Sequence, residues 1–307
     1  MSIKSELRTF YKNADRLTSQ TERQVVRAYK QSLKSVRGEL GEIYTKYAVA
    51  GELTYSEMSK YNRLNRLFDE LNGEIRRLTG ETGQGIRRLA GGVYQEGFYR
   101  AGFGIERESQ AKIGFYALRR DDIQAAVQNP LSGLTLNDRL ARNRADIIIR
   151  TKEQITQGLI QGESYQKVAR RVTEVFDKDA SKALRVVRTE AHRCQNLGIS
   201  KAFDDAAETG VKFRKVWIAS GDGSTRDDHL AMDGREADKD GLFTLPSGAR
   251  GEAPGLTGEA SDDINCRCTS EAEIVGYTPG FRRARGEGVI PQEDFDDWKR
   301  ERLISRS

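Results

Sequence analysis

The chain has 307 residues, of which 37% are hydrophobic and 32% are charged. This length is sufficient for two domains, and the charge-rich composition is typical of long solvated helices rather than of one thick apolar core. No apolar run approaches the roughly 20 residues that a membrane-spanning helix needs, and the polar start MSIKSELRTFYKN lacks the apolar segment of a signal peptide. We therefore expect a soluble protein made in a cytoplasm. The odd number of three cysteines argues against a disulfide framework.

The positive charge lies in the first part of the chain. Residues 1–120 hold 22 Lys and Arg against 14 Asp and Glu, whereas the remainder holds 29 against 32. A basic segment of this size suits nucleic acid or an acidic protein surface. The alternative is an Arg-rich helical surface that is simply solvated.

The N-terminal region has two heptad-like segments separated by Gly51. Apolar residues recur at alternating spacings of three and four, which predicts two helices joined as an antiparallel hairpin. The first segment has Tyr29, Leu33, Val36, Leu40, Ile43 and Tyr47, and the second has Tyr61, Leu64, Phe68, Leu71, Ile75 and Leu78. Thr54 and Ser56 are candidate N-caps for the second helix. Because each run covers only about three heptads, ordinary amphipathic helices of a bundle are an alternative to a coiled coil.

Glycines are frequent from Gly80 to Gly104, with aromatic residues between them. Glycine destabilises a helix interior by roughly 1 kcal/mol relative to alanine. Either the helices are broken here or small residues allow close packing against a partner. Arg87, Arg88 and Arg100 stand among the aromatic residues and are candidate nucleic-acid contacts.

Residues 137–208 read as a run of short helices. Gly162 should end the first, Ser164 should cap the second, and Asp179 or Ser181 should cap a third. After Gly210 the pattern predicts strands at 211–220 and 266–277, with a loop and a short helix at 221–234 and irregular loops at 235–265. The fold class is therefore α+β and predominantly α, with few strands. We expect a basic helical domain at 1–135, a second domain at 136–277 (helices 137–208, strand module 211–277) and a charged tail at 278–307 with a short helix at 291–302.

The scarce metal-binding residue types fall close together in the sequence. Both histidines and all three cysteines lie between His192 and Cys268; the others are Cys194, His229 and Cys266. On a strand, Cys266 and Cys268 would face the same side. Together with His229 they are candidate ligands of zinc, the one cofactor that the sequence suggests. The alternative is that the thiols are small buried core groups.

Polar residues of the same region allow two further interpretations. In the first, the protein is an enzyme in which Glu190, Arg226 and His229 line a cleft and act on nucleic acid or protein. In the second, these side chains brace a loop-rich module. The chain has no G-x-S-x-G elbow, Walker loop or H-E-x-x-H motif, so the enzyme interpretation lacks a motif of its own.

The order of these motifs resembles the Mu F-like phage head morphogenesis family of minor head (minor capsid) proteins. The resemblance covers roughly residues 140–275. It is carried by Arg188, Thr189 and Glu190 in VVRTEA, then Trp217, then Asp222, Thr225, Arg226 and His229, then Asp233 and Gly234, then Asn265, Cys266, Arg267 and Cys268. The family typically shows a proline in the last motif, as Pro-x-Cys-Arg-Cys, where this chain has Asp263-Ile264-Asn265.

The resemblance implies a low-copy protein inside the capsid of a tailed bacteriophage, assembled in the host cytoplasm. Its implied partners are the portal protein, double-stranded DNA bound without sequence preference, and scaffolding or major capsid protein. Its implied role is in head morphogenesis, DNA packaging or DNA ejection, with no membrane involved. The heptads offer a surface for the portal or for self-association. The family has no established catalytic activity, so the resemblance implies no catalytic residue.

Overall fold

A computed structural model describes residues 2–277 and 294–304. Its α-helices are α1 Ile3–Tyr47, α2 Tyr55–Ser59, α3 Arg63–Ser109, α4 Arg120–Gln128, α5 Leu136–Ile160, α6 Tyr165–Glu208, α7 Asp227–Leu230, α8 Ala260–Asp263 and α9 Phe295–Ile304. Its strands are β1 Val211–Ile218, β2 Phe243–Thr244, β3 Arg250–Gly251 and β4 Thr269–Tyr277. The predicted fold class, predominantly helical α+β with few strands, is confirmed. No helix in the described ranges is both long and apolar enough to cross a membrane.

The described chain forms two compact units. Met1–Thr18, Arg87–Thr135 and Arg188–Ser307 form one, here called the motif unit. Ser19–Ile86 and Leu136–Val187 form the other, here called the helical unit. The long helices α1, α3 and α6 contribute residues to both. The functional division at residue 135 that the sequence suggests stays a prediction.

The predicted N-terminal hairpin is present, with α1 and α3 running antiparallel. Within the motif unit, Arg100 of α3 pairs with Glu6 near the start of α1 at 3.1 Å. Within the helical unit, Glu39 lies close enough to Glu70 and Glu74 for their charges to raise its pKa, although burial contributes more to the shift. Thr54 is an N-cap, because its side chain accepts a hydrogen bond from the backbone N–H of Glu57, but it caps the short α2. The predicted second helix, which carries the heptad residues from Leu64 onward, is α3 and begins at Arg63.

In the helical unit, α1 packs against α6 as well as facing α3. The Tyr29 ring lies edge-on to Phe176 with centroids 6.5 Å apart, and Tyr44 meets Tyr165 in the same way at 5.9 Å. Because α1 has both α3 and α6 as neighbours, its buried face differs from the row of apolar residues predicted between Tyr29 and Tyr47. Leu33, Ile43 and Tyr47 are only half-buried, whereas Val25 and Ser32 are buried. These contacts are those of amphipathic helices in a bundle.

The predicted third helix between residues 180 and 208 is not separate, because α6 continues from Tyr165 to Glu208 without a break. The two residues expected to cap it, Asp179 and Ser181, make other hydrogen bonds. Asp179 is buried and accepts a 2.6 Å hydrogen bond from the Tyr29 hydroxyl, and Ser181 donates to the carbonyl of Asp177 one turn back. The Asp179 carboxylate thus has a hydrogen-bond donor on another helix of the unit, and it does not need the backbone N–H groups of a helix start.

The glycine-rich segment does not break α3; in the motif unit it allows close packing. A Cβ placed on Gly97 would lie 2.8 Å from the Gln195 carbonyl oxygen, and one on Gly198 would lie 2.1 Å from that of Tyr94. The backbones of α3 and α6 therefore cross at a distance that only glycine permits. Gly92, in contrast, faces open space.

The strands belong to the motif unit. β1 and β4 pair antiparallel from Val211↔Tyr277 to Ile218↔Thr269, with an irregularity at Lys212/Phe213, and β2 pairs with β3. A small core on this module consists of Trp217, Met232, Phe243, Leu245, Cys266 and Cys268.

Helix α9 overlaps the predicted 291–302 helix, beginning at Phe295 and ending at Ile304, and packs on α3. The indole N–H of Trp298 donates to Glu106 at 2.7 Å, and Arg302 pairs with the same carboxylate at 2.6 Å. The rest of the predicted charged tail, apart from Asp294, lies outside the described residues.

Candidate functional site

The predicted zinc ligands come together in the small core. The Nδ1 atom of His229 lies 3.5 Å from Cys268 Sγ and 3.7 Å from Cys266 Sγ. The three ligand atoms all lie within 4.8 Å of one another, and the three residues are buried. Helix α7 supplies His229. The two cysteines lie just before β4, separated by Arg267, and both thiols are directed at His229. These are the atoms that could hold a thiophilic metal ion.

The cluster is electrostatically asymmetric. A hydrogen bond with Cys266 stabilises the Cys268 thiolate, which lowers the pKa of Cys268 and raises that of Cys266. The Trp217 ring stands edge-on to His229, with centroids 5.5 Å apart and planes at 89°. The apolar wall therefore fixes the orientation of the imidazole.

The second nitrogen of His229 faces a carboxylate that the sequence did not indicate. His229 Nε2 lies 3.7 Å from Asp262 Oδ1, and both residues are buried. Nε2 makes no hydrogen bond among the described residues. Asp262 comes from α8, four positions before Cys266. The available signal was the acidic pair Asp262-Asp263 just before Ile264-Asn265-Cys266.

Arg226 holds the loop before the cysteines. Its guanidinium donates to the carbonyl of Ile264 at 2.5 Å and to that of Asp262 at 3.4 Å. On the other side of this loop, the Thr189 hydroxyl accepts the backbone N–H of Asn265 at 3.1 Å. Both motif residues thus fix the backbone that presents Cys266.

His192 joins α6 to the segment that carries the two cysteines. Its Nε2 donates to the Cys268 carbonyl at 2.6 Å, and burial lowers the pKa of His192 to about 4. Gly255, at φ 80°, passes over the ring so closely that a Cβ would lie 2.9 Å from Nδ1. His192 is therefore a neutral brace outside the ligand group. Cys194 also lies outside that group, buried beside Arg193 in α6.

The remaining motif residues organise the loop after β1. Asp222 accepts hydrogen bonds from the backbone of Ser224 and from Arg267 at 2.6 Å, so it orders the turn and does not cap α7, whose N-cap is Arg226. The Asp233 carboxylate accepts the Ala219 N–H at 2.9 Å. Gly234, at φ 73°, turns the chain back so that its N–H donates to the Trp217 carbonyl.

The family's proline position is Ile264 here, and its backbone already has a proline-like conformation. Ile264 has φ −67° and ψ 127°, close to the angles that proline prefers. Asp263 accepts hydrogen bonds from the backbone of Thr257 and Gly258, and Asn265 adopts a left-handed φ of 56°. The departure from the family pattern therefore leaves the loop conformation compatible with it.

Glu190, Arg226 and His229 do not line a shared cleft in the part of the chain that the structure describes. Glu190 is fully buried and pairs with Arg193 at 2.9 Å, while Arg193 also donates to the carbonyls of Ala126 and Val127. A cleft of about 590 Å³ in the motif unit is lined by Tyr94, Tyr116, Arg119, Asp122, Ala125, Ala126, Asn129, Leu197 and Lys201, with all three candidates outside its lining. The geometry matches the brace interpretation. Arg188 is exposed on α6.

The three arginines singled out for nucleic acid differ in their surroundings. Arg88 is exposed and Arg87 is half-buried. Arg100 pairs with Glu6 and Glu96, and its guanidinium lies 3.5 Å from the Phe295 ring centroid. Arg100 is thus engaged within the motif unit, whereas Arg88 remains exposed.

Comparison with known proteins agrees with the motifs. Residues 149–271 match the family model described as phage Mu protein F like protein. The chain is 33% identical over 298 residues to the minor head protein GP7 of Bacillus phage SPP1, with 96% of both chains covered. It is 29% identical over 285 residues to NAD(+)–arginine ADP-ribosyltransferase EFV of Enterococcus faecalis, covering 92% of this chain but only 58% of that relative. No solved structure matches.

Proposed function

We propose that this chain, which belongs to the Mu F-like family of phage minor head proteins, acts in the virion by binding the portal protein and double-stranded DNA. In this proposal it assembles in the host cytoplasm, is enclosed in the capsid, and assists head morphogenesis and DNA packaging or ejection. The location in the phage head rests on membership of the family. DNA binding rests on a surface of α1.

That surface is a basic stripe formed by five exposed residues of α1, which are Arg23, Arg27, Lys30, Lys34 and Arg37. Their spacings of 4, 3, 4 and 3 place them along one face of the helix. None of the five makes an ion pair with another residue in the described ranges. The helical unit as a whole carries 22 Lys and Arg against 16 Asp and Glu. The stripe is therefore a row of unused cations in the more basic unit.

The geometry of the stripe suits phosphate rather than base recognition. Successive charges are about 5 Å apart along the helix axis, given a rise of about 1.5 Å per residue. Double-stranded DNA carries a negative charge for about every 1.7 Å of its axis, so a short basic helix meets several phosphates at once. Phosphate contacts carry no sequence information. We expect the full-length protein to bind two duplexes of unrelated sequence with equal affinity in fluorescence anisotropy; no binding at low salt would contradict the proposal.

Portal binding is proposed from the resemblance to the family and is tested separately. The full-length chain is co-expressed with the portal protein of the same phage, and the portal alone is tagged. We expect both proteins to elute together at moderate salt, where weak charge contacts are screened. Recovery of the portal without this chain would refute portal binding and leave the DNA proposal intact.

We further propose that the chain acts without catalysis. Side chains of the motif make contacts within the module; Glu190, for example, forms an ion pair with Arg193. The relative named as an ADP-ribosyltransferase is matched over 58% of its length, so a large part of it has no counterpart in this match. Incubation of the full-length protein with labelled NAD⁺ and an arginine-rich acceptor should give no labelled acceptor. Labelling above the level of heat-inactivated protein would overturn this part.

A further inference from the structure

We propose that His229, Cys266 and Cys268 bind one zinc ion that stabilises the small core of the motif unit. The donors are the Sγ atoms of the two cysteines and Nδ1 of the histidine, which converge from α7 and from the residues before β4. Thiolate and imidazole are the usual zinc ligands. The proposal is independent of portal and DNA binding.

The distances between the donor atoms fit a tetrahedral ion. With Zn–S near 2.3 Å and Zn–N near 2.0–2.1 Å, two tetrahedral ligands of these types lie about 3.6 Å apart. His229 Nδ1 is 3.5 Å from Cys268 Sγ and 3.7 Å from Cys266 Sγ. An ion can therefore be placed between the three atoms with little movement of the side chains. The group supplies three of the four ligands of a tetrahedral ion.

The surroundings of His229 match those of a metal-bound imidazole. A histidine that ligates through one nitrogen commonly directs the other nitrogen toward a carboxylate, which fixes the ring and raises its basicity. Here the buried Nε2 lacks a hydrogen bond among the described residues, and the buried Asp262 Oδ1 lies 3.7 Å away. Asp262 is thus the orienting carboxylate and not a ligand.

A metal ion would also account for the composition of this core. Two of its six buried residues are the cysteines. Small cores often depend on a metal or on disulfides because they bury too little apolar surface. One Zn²⁺ joining α7 to β4 would link the loop after β1 with the loop held by Arg226. Two thiolates would neutralise its charge, so burial of the ion leaves no net charge.

The test uses the full-length protein purified without added metal or chelator. Elemental analysis should give one zinc per chain. After removal of zinc with a chelator, titration with Co²⁺ should produce the thiolate-to-cobalt absorption bands of a tetrahedral site, saturating at one equivalent. The matched control is Cys194→Ser, which removes the buried cysteine outside the ligand group and should keep both results.

Two variants separate ligands from the orienting carboxylate. Cys266→Ser should lose the stoichiometric metal, and Asp262→Asn should keep one site but bind Co²⁺ about 10- to 100-fold more weakly. If Cys266→Ser does not fold, the wild-type measurements decide alone. Wild-type protein without zinc and without thiolate–cobalt bands would overturn the proposal, as would Cys266→Ser protein that retains them.

Discussion

Replacing the basic stripe of α1 by glutamine should abolish most of the salt dependence of DNA binding. Each phosphate contact contributes a slope of about −0.9 to the plot of log K against log salt concentration. If all five stripe residues contact phosphates, they contribute about −4.5. Between 50 and 200 mM salt this corresponds to an affinity loss of about 500-fold. The variant Arg23→Gln, Arg27→Gln, Lys30→Gln, Lys34→Gln, Arg37→Gln should lose that dependence.

The measurement is fluorescence anisotropy with a labelled duplex at four or five salt concentrations. Glutamine has a helix propensity close to those of lysine and arginine, so α1 should remain folded, as circular dichroism can verify. Single substitutions within the stripe should each reduce the slope by about 0.9. The proportionality between charges removed and slope lost is what identifies the stripe as the phosphate-binding surface.

A control variant must remove the same charge from elsewhere. Five exposed cations of the motif unit serve this purpose, and they are Lys112, Arg120, Lys212, Arg235 and Lys239. Their replacement by glutamine lowers the net charge equally and should leave the slope nearly unchanged. If the stripe variant keeps the wild-type slope, or if the control variant loses as much, the assignment of DNA binding to α1 is refuted.

Three further predictions concern folding. Gly198→Ala should destabilise the protein by at least about 1–3 kcal/mol in denaturant unfolding, because the new Cβ meets a carbonyl oxygen at 2.1 Å; Gly92→Ala, in open space on a helix, should instead stabilise it by up to about 1 kcal/mol. Ile264→Pro should cost only about 1 kcal/mol, because φ is already −67° and the main loss is the hydrogen bond from its N–H to the Ala260 carbonyl. Asn265→Pro should cost about 3 kcal/mol or more, because φ is 56° in addition to the loss of a donated N–H; equal effects of the two prolines would contradict the described loop. Burial raises the pKa of Asp179, so the stability contributed by its protonated form is complete below pH about 4 and is lost as the pH rises through the pKa of the folded state. Asp179→Asn should therefore gain stability relative to wild type as the pH rises from about 4. Parallel pH profiles for the two proteins would show that Asp179 is not the group responsible.

The sequence was a good guide to elements and a poor guide to their partners. Thr54 was correctly identified as an N-cap, although it caps the short α2 and the predicted heptad helix begins only at Arg63. The break expected near Asp179 was wrong, because a buried Tyr29 hydroxyl, distant in the sequence, satisfies that carboxylate. The heptad register was similarly displaced by contacts with α6, which apolar spacing within one helix cannot show.

The candidate site shows the same limit. The spacing of Cys266 and Cys268 and the scarcity of histidine were enough to select the ligand group that the structure brings together. Asp262 was missed because an aspartate in a loop-rich segment is normally a turn residue, and only the fold places it beside His229. Arg100 is the opposite case. The sequence offers it as a nucleic-acid contact, but in the fold its guanidinium forms an ion pair with Glu6.

Polar groups that lack a partner within the protein are a better guide to a binding surface than the motif residues are. Arg226, Asp222 and Thr189 are the most recognisable residues, yet each is occupied by a backbone or side-chain partner within the motif unit. A group in that state contributes to folding and is not available to a ligand without loss of its partner. The cations of α1 are less distinctive in sequence, but they are exposed and lack an ion pair in the described ranges. Binding to a polyanion costs these side chains little, so we expect the proposed DNA-binding surface to lie outside the residues that define the family.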